Sequence, residues 1–187
     1  MNYQSTIKSH PEREATEEYQ DILMEGLIAH TGFSIDGIPY VIPMSYDYDK
    51  NQPDRIVLHG SQKSRVLNHL EEGNPVCIEV TLLEGLVYSK TAMFHSMNYR
   101  SVMCFGKSRL ITDNNEKQKI FSRMIDRYFP GRTENQDYQA PPALHLESTK
   151  VIEVIIESFS AKARKGNPKG PNDFNDDALG TAGVLKL

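Results

Sequence analysis

The sequence predicts a mainly β fold: a closed or nearly closed antiparallel barrel of about six or seven strands, with helices packed at its ends. Three observations lead to this class. Strand-like apolar runs recur between residues 33 and 159, and tight turn signals separate several of them. The helical segments do not alternate with the strands one by one, as they would in a parallel βαβ sheet.

Three segments have the apolar spacing of amphipathic helices: residues 12–28, 61–72 and 113–129. In the first, Ile22, Leu23 and Leu27 fall on one side. In the third, Asp113 with Glu116 resembles a capping box at the helix start. Each pattern therefore predicts a helix with one buried side.

A hairpin is expected after the first helix. Asp36-Gly37 lies between two strand-like runs, and both turn positions of this dipeptide tolerate positive φ. The second run covers residues 38–46 and alternates along its length. Pro39 and Pro43 share the face on which they would interrupt a hydrogen-bonded ladder. This strand is therefore expected to have a sheet edge or a ligand beside it.

The other strands follow at short intervals and are expected at 55–58, 75–83, 86–88, 99–111 and 150–159. Glu84-Gly85 is interpreted as the turn between the second and the third of these. Residues 160–187 are rich in Gly, Pro, Asn and Asp, and they are expected to form an extended C-terminal arm. A length of 187 residues fits a single domain over 1–187.

Composition and charge narrow the class of protein. Hydrophobic residues make up 39% of the chain and charged residues 25%, as is typical of a globular domain. The formal net charge of −4 argues against a nucleic-acid partner, which favours a basic surface. No apolar run approaches the roughly 20 residues that cross a bilayer, and the polar N-terminus lacks the apolar core of a secretory signal. A cytoplasmic protein without a membrane partner is expected.

The turn at 58–65, where a strand meets the second predicted helix, has the composition of a phosphate site. It offers glycine, hydroxyl and cationic positions: Gly60, Ser61, Lys63, Ser64 and Arg65. Unpaired N–H groups at a helix N-terminus attract anions, and these side chains add charged donors. The alternative is that Ser61 is only an N-cap and that both cations are solvated. The glycine spacings of the Walker loop and of the dinucleotide fingerprint are absent.

The remaining polar residues give little support for other chemistry. A dense polar cluster at 95–101 precedes a strand, and an ordinary capped loop explains it as well. His59, His69 and His95 lack the spacing of a zinc site, and the sequence contains no nucleophile elbow. The two cysteines lie far apart in apolar runs and are expected to be buried. No metal site and no catalytic residue is assigned.

Five segments, taken in order, resemble successive blocks of one family. They read PYVIPMSY at 39–46, LHGS followed by SR at 58–65, PVCIEVT at 75–81, HSMNYRSV at 95–102, and SAKAR with a following glycine at 160–166. On these blocks the chain is similar to the pyridoxamine 5'-phosphate oxidase-related, FMN-binding split-barrel family, and most similar to its nitroimidazole-resistance-like branch. The resemblance covers nearly the whole chain.

This resemblance implies a split β-barrel that forms a homodimer, with FMN bound at the interface between the two chains. The strand at 41–46 would run along the isoalloxazine ring, and the turn at 59–65 would hold the phosphate. The cluster at 99–101 and two cations of the C-terminal arm would approach the flavin. The implied cofactor residues are Val41, Pro43, Met44, Ser45, Tyr46, His59, Gly60, Ser61, Lys63, Ser64, Arg65, Tyr99, Arg100, Ser101, Lys162 and Arg164.

The resemblance also implies an FMN-dependent oxidoreductase that acts on a small molecule, such as a nitro or aromatic compound. Two alternatives stay open. One is a flavin-binding or flavin-carrying protein without turnover, because no general acid, base or nucleophile is evident. The other is a haem-binding relative in which His59 or His95 is the axial ligand. The chain lacks the C-terminal Trp that relatives often carry, and it lacks the basic pattern expected for vitamin B6 oxidation.

Overall fold

The computed structural model describes residues 5–187; residues 1–4, which the predicted domain includes, lie outside this part. The described residues form four α-helices and three short 3₁₀ helices. The α-helices are α1 (Tyr19–Glu25), α2 (Arg65–Glu71), α3 (Asn114–Tyr128) and α4 (Ala143–Ser148). The 3₁₀ helices are Pro11–Arg13, Thr16–Glu18 and Ala92–Phe94.

Eight strands of the same part of the chain build one sheet. They are β1 (Ala29–Ile35), β2 (Ile38–Met44), β3 (Tyr46–Tyr48), β4 (Arg55–Ser61), β5 (Pro75–Tyr88), β6 (Ser96–Ile111), β7 (Thr149–Arg164) and β8 (Gly183–Lys186). Their order is β2-β1-β5-β6-β7-β4-β3, with β8 paired to β5. The path ends at β2 and β3, so the mainly antiparallel sheet is not closed, as in a split barrel. The predicted fold class is confirmed, with eight strands instead of six or seven.

The Asp36-Gly37 hairpin is confirmed. The two residues have positive φ angles of 51° and 79°, and Ile35 pairs with Ile38 across the turn. Among the described strands, β2 has a neighbour on one side only. Its two prolines therefore lie in an edge strand, where the missing N–H groups are tolerated.

The N-terminal helix is shorter than predicted. Instead of one helix over 12–28, the chain makes two 3₁₀ turns and then α1, which ends at Glu25, directly before a glycine. Ile22 and Leu23 are fully buried, as their spacing predicts, but Leu27 is 57% exposed and its assignment to the apolar side is wrong. A glycine in a helix interior costs about 0.5–1 kcal/mol, which favours ending the helix before it.

The second helix begins later than predicted. β4 continues through Ser61, which pairs with Thr149 of β7, and this pairing prevents a helical turn from starting there. The helix α2 instead begins at Arg65 with Ser64 as its N-cap. The hydroxyl of Ser64 accepts a hydrogen bond from the N–H of Leu67 at 3.5 Å.

Glu84-Gly85 is not a turn, contrary to the prediction. β5 runs without a break through this dipeptide, and its second half pairs with β8. A Cβ atom placed on Gly85 would lie 2.9 Å from the carbonyl oxygen of Leu185. The glycine is therefore explained by the close approach of β8 and not by a chain reversal.

The C-terminal region is also more regular than predicted. The expected arm over 160–187 begins inside a strand, because β7 continues to Arg164, and the tail ends in β8. The helix α4 occupies a segment that the sequence places in a loop. The strand β8 forms because residues 183–186 pair with β5, a partner that is distant in the sequence.

The chain divides into two compact units: one contains 26–80 and 103–159, and the other contains 6–25, 81–102 and 160–187. Whether they fold as one domain stays a prediction. None of the helices in the described part is both long and apolar enough to traverse a lipid bilayer.

The helix α3 supplies much of the core of the first unit. Asp113 caps it through the N–H of Asn115 at 3.0 Å, as the sequence predicts, whereas the carboxylate of Glu116, the expected capping-box partner, accepts a hydrogen bond from Arg55 at 3.4 Å. Ile120 and Met124 pack in one cluster with residues of β4, β6 and β7. The predicted apolar side of this helix is therefore confirmed, and it fixes the position of the sheet residues around it.

Candidate functional site

The turn between β4 and α2 presents two cations to solvent. The N–H of Lys63 donates to the hydroxyl of Ser61 at 3.2 Å, which tightens the turn. Lys63 and Arg65 are exposed, and neither forms an ion pair with any residue from 5 to 187. Ser64 is half-buried, and its hydroxyl caps α2. The turn therefore has two charged donors available to an anion.

This turn lies against the edge strand. The guanidinium of Arg65 stacks on the ring of Tyr40 in β2, 5.1 Å from its centroid. Next to Tyr40, Val41 is 64% exposed, and Pro43 is exposed as well. The structure thus brings together two segments that the sequence assigns to one ligand, the cationic turn and the edge strand.

Tyr46 has a structural role. It is fully buried, and its ring lies 4.5 Å from the guanidinium of Arg127. Its N–H donates to the hydroxyl of Tyr128 at 3.0 Å, and burial raises its pKa to about 12. Its side chain is therefore buried, whereas those of Met44 and Ser45 are half-buried, and contact of these three residues with a cofactor stays a prediction.

Gly60 also has a packing explanation. A Cβ atom at this position would lie 3.1 Å from Cδ1 of Leu67. The glycine therefore lets α2 lie close to β4, and its contact with a ligand stays a prediction.

His59 lines a cavity of about 390 Å³ in the first unit. Its ring meets that of Phe121 edge-on, with the centroids 5.1 Å apart. Its Nδ1 atom is buried and has no hydrogen-bond partner in the described part of the chain. Burial lowers the pKa of His59, so the imidazole is neutral at pH 7. A neutral imidazole is the form that binds metal ions.

Most residues in the wall of this cavity are not predicted by any pattern in the sequence. It is built from aromatic and apolar side chains together with a second histidine: Phe121, Ile125, Tyr138, His145 and Leu146. The sequence predicts the first two only as the buried side of a helix. The other three belong to a segment without a predicted element, and no local pattern shows that they converge on His59.

Arg100 is held by carboxylates within the second unit. Its guanidinium donates to Glu25 at 3.2 Å and to Glu84 at 2.5 Å. The hydrogen bond that Arg100 donates to Glu25, followed by the one to Glu84, raises the pKa of Arg100 above its usual value. Tyr99 and Ser101 flank it on β6 and are half-buried. Contact of these three residues with a cofactor stays a prediction.

Lys162 and Arg164 lie at the end of β7, not on a free arm. The amine of Lys162 donates to the carbonyl of Ser9 at 2.7 Å, and Arg164 donates to the side-chain oxygen of Asn98. His95 is exposed and sits 3.2 Å from a backbone carbonyl, outside any cavity described above. The roles that the resemblance implies for the two cations stay predictions.

The next question is whether the side chains are arranged to bind a metal ion or to activate a cysteine thiol. Between residues 5 and 187, the structure groups no three His, Cys, Asp or Glu side chains around a common point. Cys104 is buried as expected, and burial raises its pKa to about 12. Cys77 is half-buried, and burial followed by the nearby Glu79 raises its pKa. Neither thiol is primed for nucleophilic attack.

Comparison with known proteins gives a consistent set of matches. The sequence profile described as pyridoxamine 5'-phosphate oxidase matches residues 15–163. No curated protein matches the chain significantly. Several solved structures do, and three are informative.

The FAD- and haem-binding protein of Mycobacterium smegmatis is 29% identical, with a TM-score of 0.80 over 93% of this chain and 82% of its own. Flavocytochrome Anf3 of Azotobacter vinelandii is 31% identical, with a TM-score of 0.82 over 100% of this chain and 85% of its own. A candidate 5-nitroimidazole antibiotic resistance protein of Bacteroides thetaiotaomicron is 26% identical, with a TM-score of 0.63 over 80% and 84%. The chain is similar to each of them over most of both lengths.

Proposed function

Since the chain belongs to the pyridoxamine 5'-phosphate oxidase family, a family of flavin-binding proteins, we propose that it binds a flavin nucleotide and exchanges electrons with a small molecule. One observation carries this proposal. Lys63 and Arg65 are exposed cations without ion-pair partners in the described residues, and Arg65 stacks on Tyr40 of the exposed edge strand β2. A flavin nucleotide combines the phosphate that suits the turn with the flat ring that suits the strand.

Different residues bind the phosphate and the ring of the flavin. Ser61, Lys63 and Arg65 hold the phosphate, and the segment from Val41 to Ser45 lies along the ring. When bound, the flavin supplies the electron transfer, while the protein orients it and limits the access of water.

The proposal also specifies which flavin nucleotide is bound. The sequence resemblance implies FMN, whereas the Mycobacterium smegmatis protein is named as an FAD-binding protein. Both nucleotides carry a phosphate on the same ribityl chain, so the turn suits either one. We propose FMN as the cofactor, and FAD is the alternative against which each FMN titration is compared.

The proposal includes a homodimer. The edge strand β2 exposes Ile38, Val41 and Ile42, which lie on both of its faces. Exposed apolar edge strands are normally covered, because they otherwise pair with other chains. A second copy would cover this edge and complete the flavin site from its other side. The cytoplasmic location expected from the sequence is part of the same proposal.

The substrate class is a small nitro or aromatic compound, supported by the similarity to the Bacteroides thetaiotaomicron protein. The competing function is a flavin carrier without turnover. Reduction of the bound flavin by NADH or NADPH, followed by oxidation with a nitroaromatic compound, separates the two. Rates no higher than those of free flavin would favour the carrier.

The binding test is a fluorescence titration of flavin-free protein with FMN and, in parallel, with FAD. Lys63→Ala with Arg65→Ala should weaken binding, because each lost charge-assisted hydrogen bond costs about 1.5–3 kcal/mol. Lys107→Ala with Lys119→Ala removes the same charge from exposed positions and serves as the control. Equal affinity in the two double variants would show that the turn does not hold the phosphate.

A haem protein is the second candidate function, and the His59 cavity favours it. The cavity is mainly apolar, has aromatic walls, and holds a neutral imidazole with an unpaired Nδ1 atom. Such an imidazole suits the axial position of a haem iron. The two solved relatives with about 30% identity are named as a haem-binding protein and a flavocytochrome.

The haem candidate is tested by titrating the protein with haem and recording the Soret band. His59→Ala should abolish the shift of this band. His95→Ala, which changes an exposed histidine outside the cavity, should leave it unchanged. A Soret shift that survives in His59→Ala would remove this histidine as the ligand.

A further inference from the structure

A second cavity, of about 380 Å³, lies in the second unit between the N-terminal segment and the end of β7. The N-terminal segment is held along β7 by backbone pairing. The N–H of Ala15 donates to the carbonyl of Ala161 at 2.9 Å, and Glu14 forms a bridge with Lys162. This pairing places residues of two distant parts of the chain on opposite walls of one cavity.

Three cations on these walls lack a close carboxylate partner within residues 5–187. They are Arg13, Arg164 and Lys169. The guanidinium of Arg164 donates only to the neutral amide of Asn98. The carboxylate nearest to Arg13 is that of Glu12, 3.9 Å away. Burial and the charge of Arg13 lower the pKa of Arg164, in keeping with two guanidinium groups held close together.

The acidic residues at the rim are engaged elsewhere. Glu18 binds the amine of Lys165 through both oxygens at 2.8 Å. Glu12 bonds to the imidazole of His10 at 3.0 Å. Glu14 accepts a hydrogen bond from the hydroxyl of Thr16 at 2.8 Å. Among the described residues the rim therefore leaves Arg164 without a carboxylate partner, and it leaves Arg13 only the 3.9 Å contact with Glu12, whose carboxylate also bonds to His10.

We propose that this cavity binds the phosphate group of a small phosphorylated molecule, through Arg13, Arg164 and Lys169. The planar donor fork of arginine matches a phosphate with two parallel hydrogen bonds, and an anion between two like charges removes their repulsion. The hydrogen bond from Arg164 to Asn98 orients one fork before the ligand arrives. The proposal does not rest on the flavin site, although the sequence resemblance also assigns Arg164 to the cofactor.

The test is isothermal titration calorimetry of the protein, loaded with its flavin, against pyrophosphate. Binding should weaken by roughly tenfold or more in Arg13→Gln and in Lys169→Gln, the loss typical of one charge-assisted hydrogen bond. Lys119→Gln removes an exposed charge outside the cavity and should bind like the unaltered protein. Affinity should also fall as salt is raised, since the contacts are ionic.

Two further measurements show whether each variant is folded and still binds its flavin. The flavin absorbance of each sample shows separately whether the cofactor is retained, and circular dichroism shows whether the variant is folded. An ADP titration that exceeds pyrophosphate in affinity would identify a nucleotide as the ligand, and equal affinities would identify the phosphate group alone. No heat with pyrophosphate, or equal binding by folded Arg13→Gln, would overturn the proposal.

Discussion

At the scale of single residues, Glu153 shows how this protein holds a charge inside its sheet. The residue is 1% exposed, and both Arg55 and Arg109 donate to its carboxylate. Burial alone would raise its pKa, but the hydrogen bonds from Arg109 and Arg55 outweigh burial, so the pKa lies below the ordinary 4.5. The carboxylate therefore stays ionised until well into the acid range.

This arrangement predicts an acid-dependent loss of stability. Because the folded pKa of Glu153 is lowered, its contribution is complete above about pH 4.5 and is lost as pH falls through the folded value. Glu153→Gln should lower the free energy of unfolding at pH 7 by roughly 1.5–3 kcal/mol, because Arg55 loses its charged acceptor. It should also flatten the dependence of stability on pH below 4.5.

The measurement is urea unfolding of both proteins from pH 3 to pH 7. Glu157→Gln is the matched control, since Glu157 is exposed on the same strand and forms only a 3.9 Å contact with Lys107. A Glu153→Gln variant with unchanged stability and an unchanged pH profile would show that the buried pair contributes nothing.

At the scale of elements, the sequence predicts a feature correctly where that feature depends only on residues a few positions apart. The Asp36-Gly37 turn and the Asp113 cap are set by backbone and side-chain groups a few positions apart, and both form as predicted. The start of α2 and the continuity of β5 depend instead on distant strands, β7 and β8. A sequence pattern alone contains no information on those partners, so both boundaries differ from the prediction.

The same contrast between nearby and distant residues holds for the candidate site. The cationic turn and the edge strand could be recognised from consecutive residues, and the contact of Arg65 with Tyr40 joins them. The walls of the His59 cavity could not, because they come from α3, α4 and the loop between them. The burial of the Tyr46 side chain could not be predicted either, because alternation along a strand does not reveal which end is covered.

The pairing of β5 with β8 gives a prediction at this scale. Gly85→Ala should displace β8, because the added Cβ would lie 2.9 Å from the carbonyl oxygen of Leu185. Hydrogen–deuterium exchange of the backbone amides at 183–186 should become faster in this variant. Gly183→Ala is the control, since a Cβ there meets nothing within 4 Å. Unchanged protection in Gly85→Ala would mean that the strand pair can adapt to a methyl group.

At the scale of the whole molecule, the proposed dimer depends on the exposed edge of β2. Val41 is 64% exposed in a strand whose apolar residues face outward on both sides. Val41→Lys should therefore shift the protein from twice the mass of one chain to a single chain, measured by light scattering during gel filtration. The charge would oppose pairing at an edge, as lysine does in natural sheets.

The control for the dimer is Leu144→Lys, which places the same charge at an exposed position on α4. It should leave the measured mass unchanged. A monomeric protein before any substitution, or a dimer that survives in Val41→Lys, would contradict the assignment of β2 to the interface.

The central claim is that the turn after β4 holds the phosphate of a flavin. The position of that phosphate in a crystal structure of the flavin-loaded protein tests the claim most directly. We expect the phosphate oxygens within hydrogen-bond distance of Ser61, Lys63 and Arg65, with the ring beside β2. A phosphate bound by other residues, with Lys63 and Arg65 still facing solvent, would contradict it.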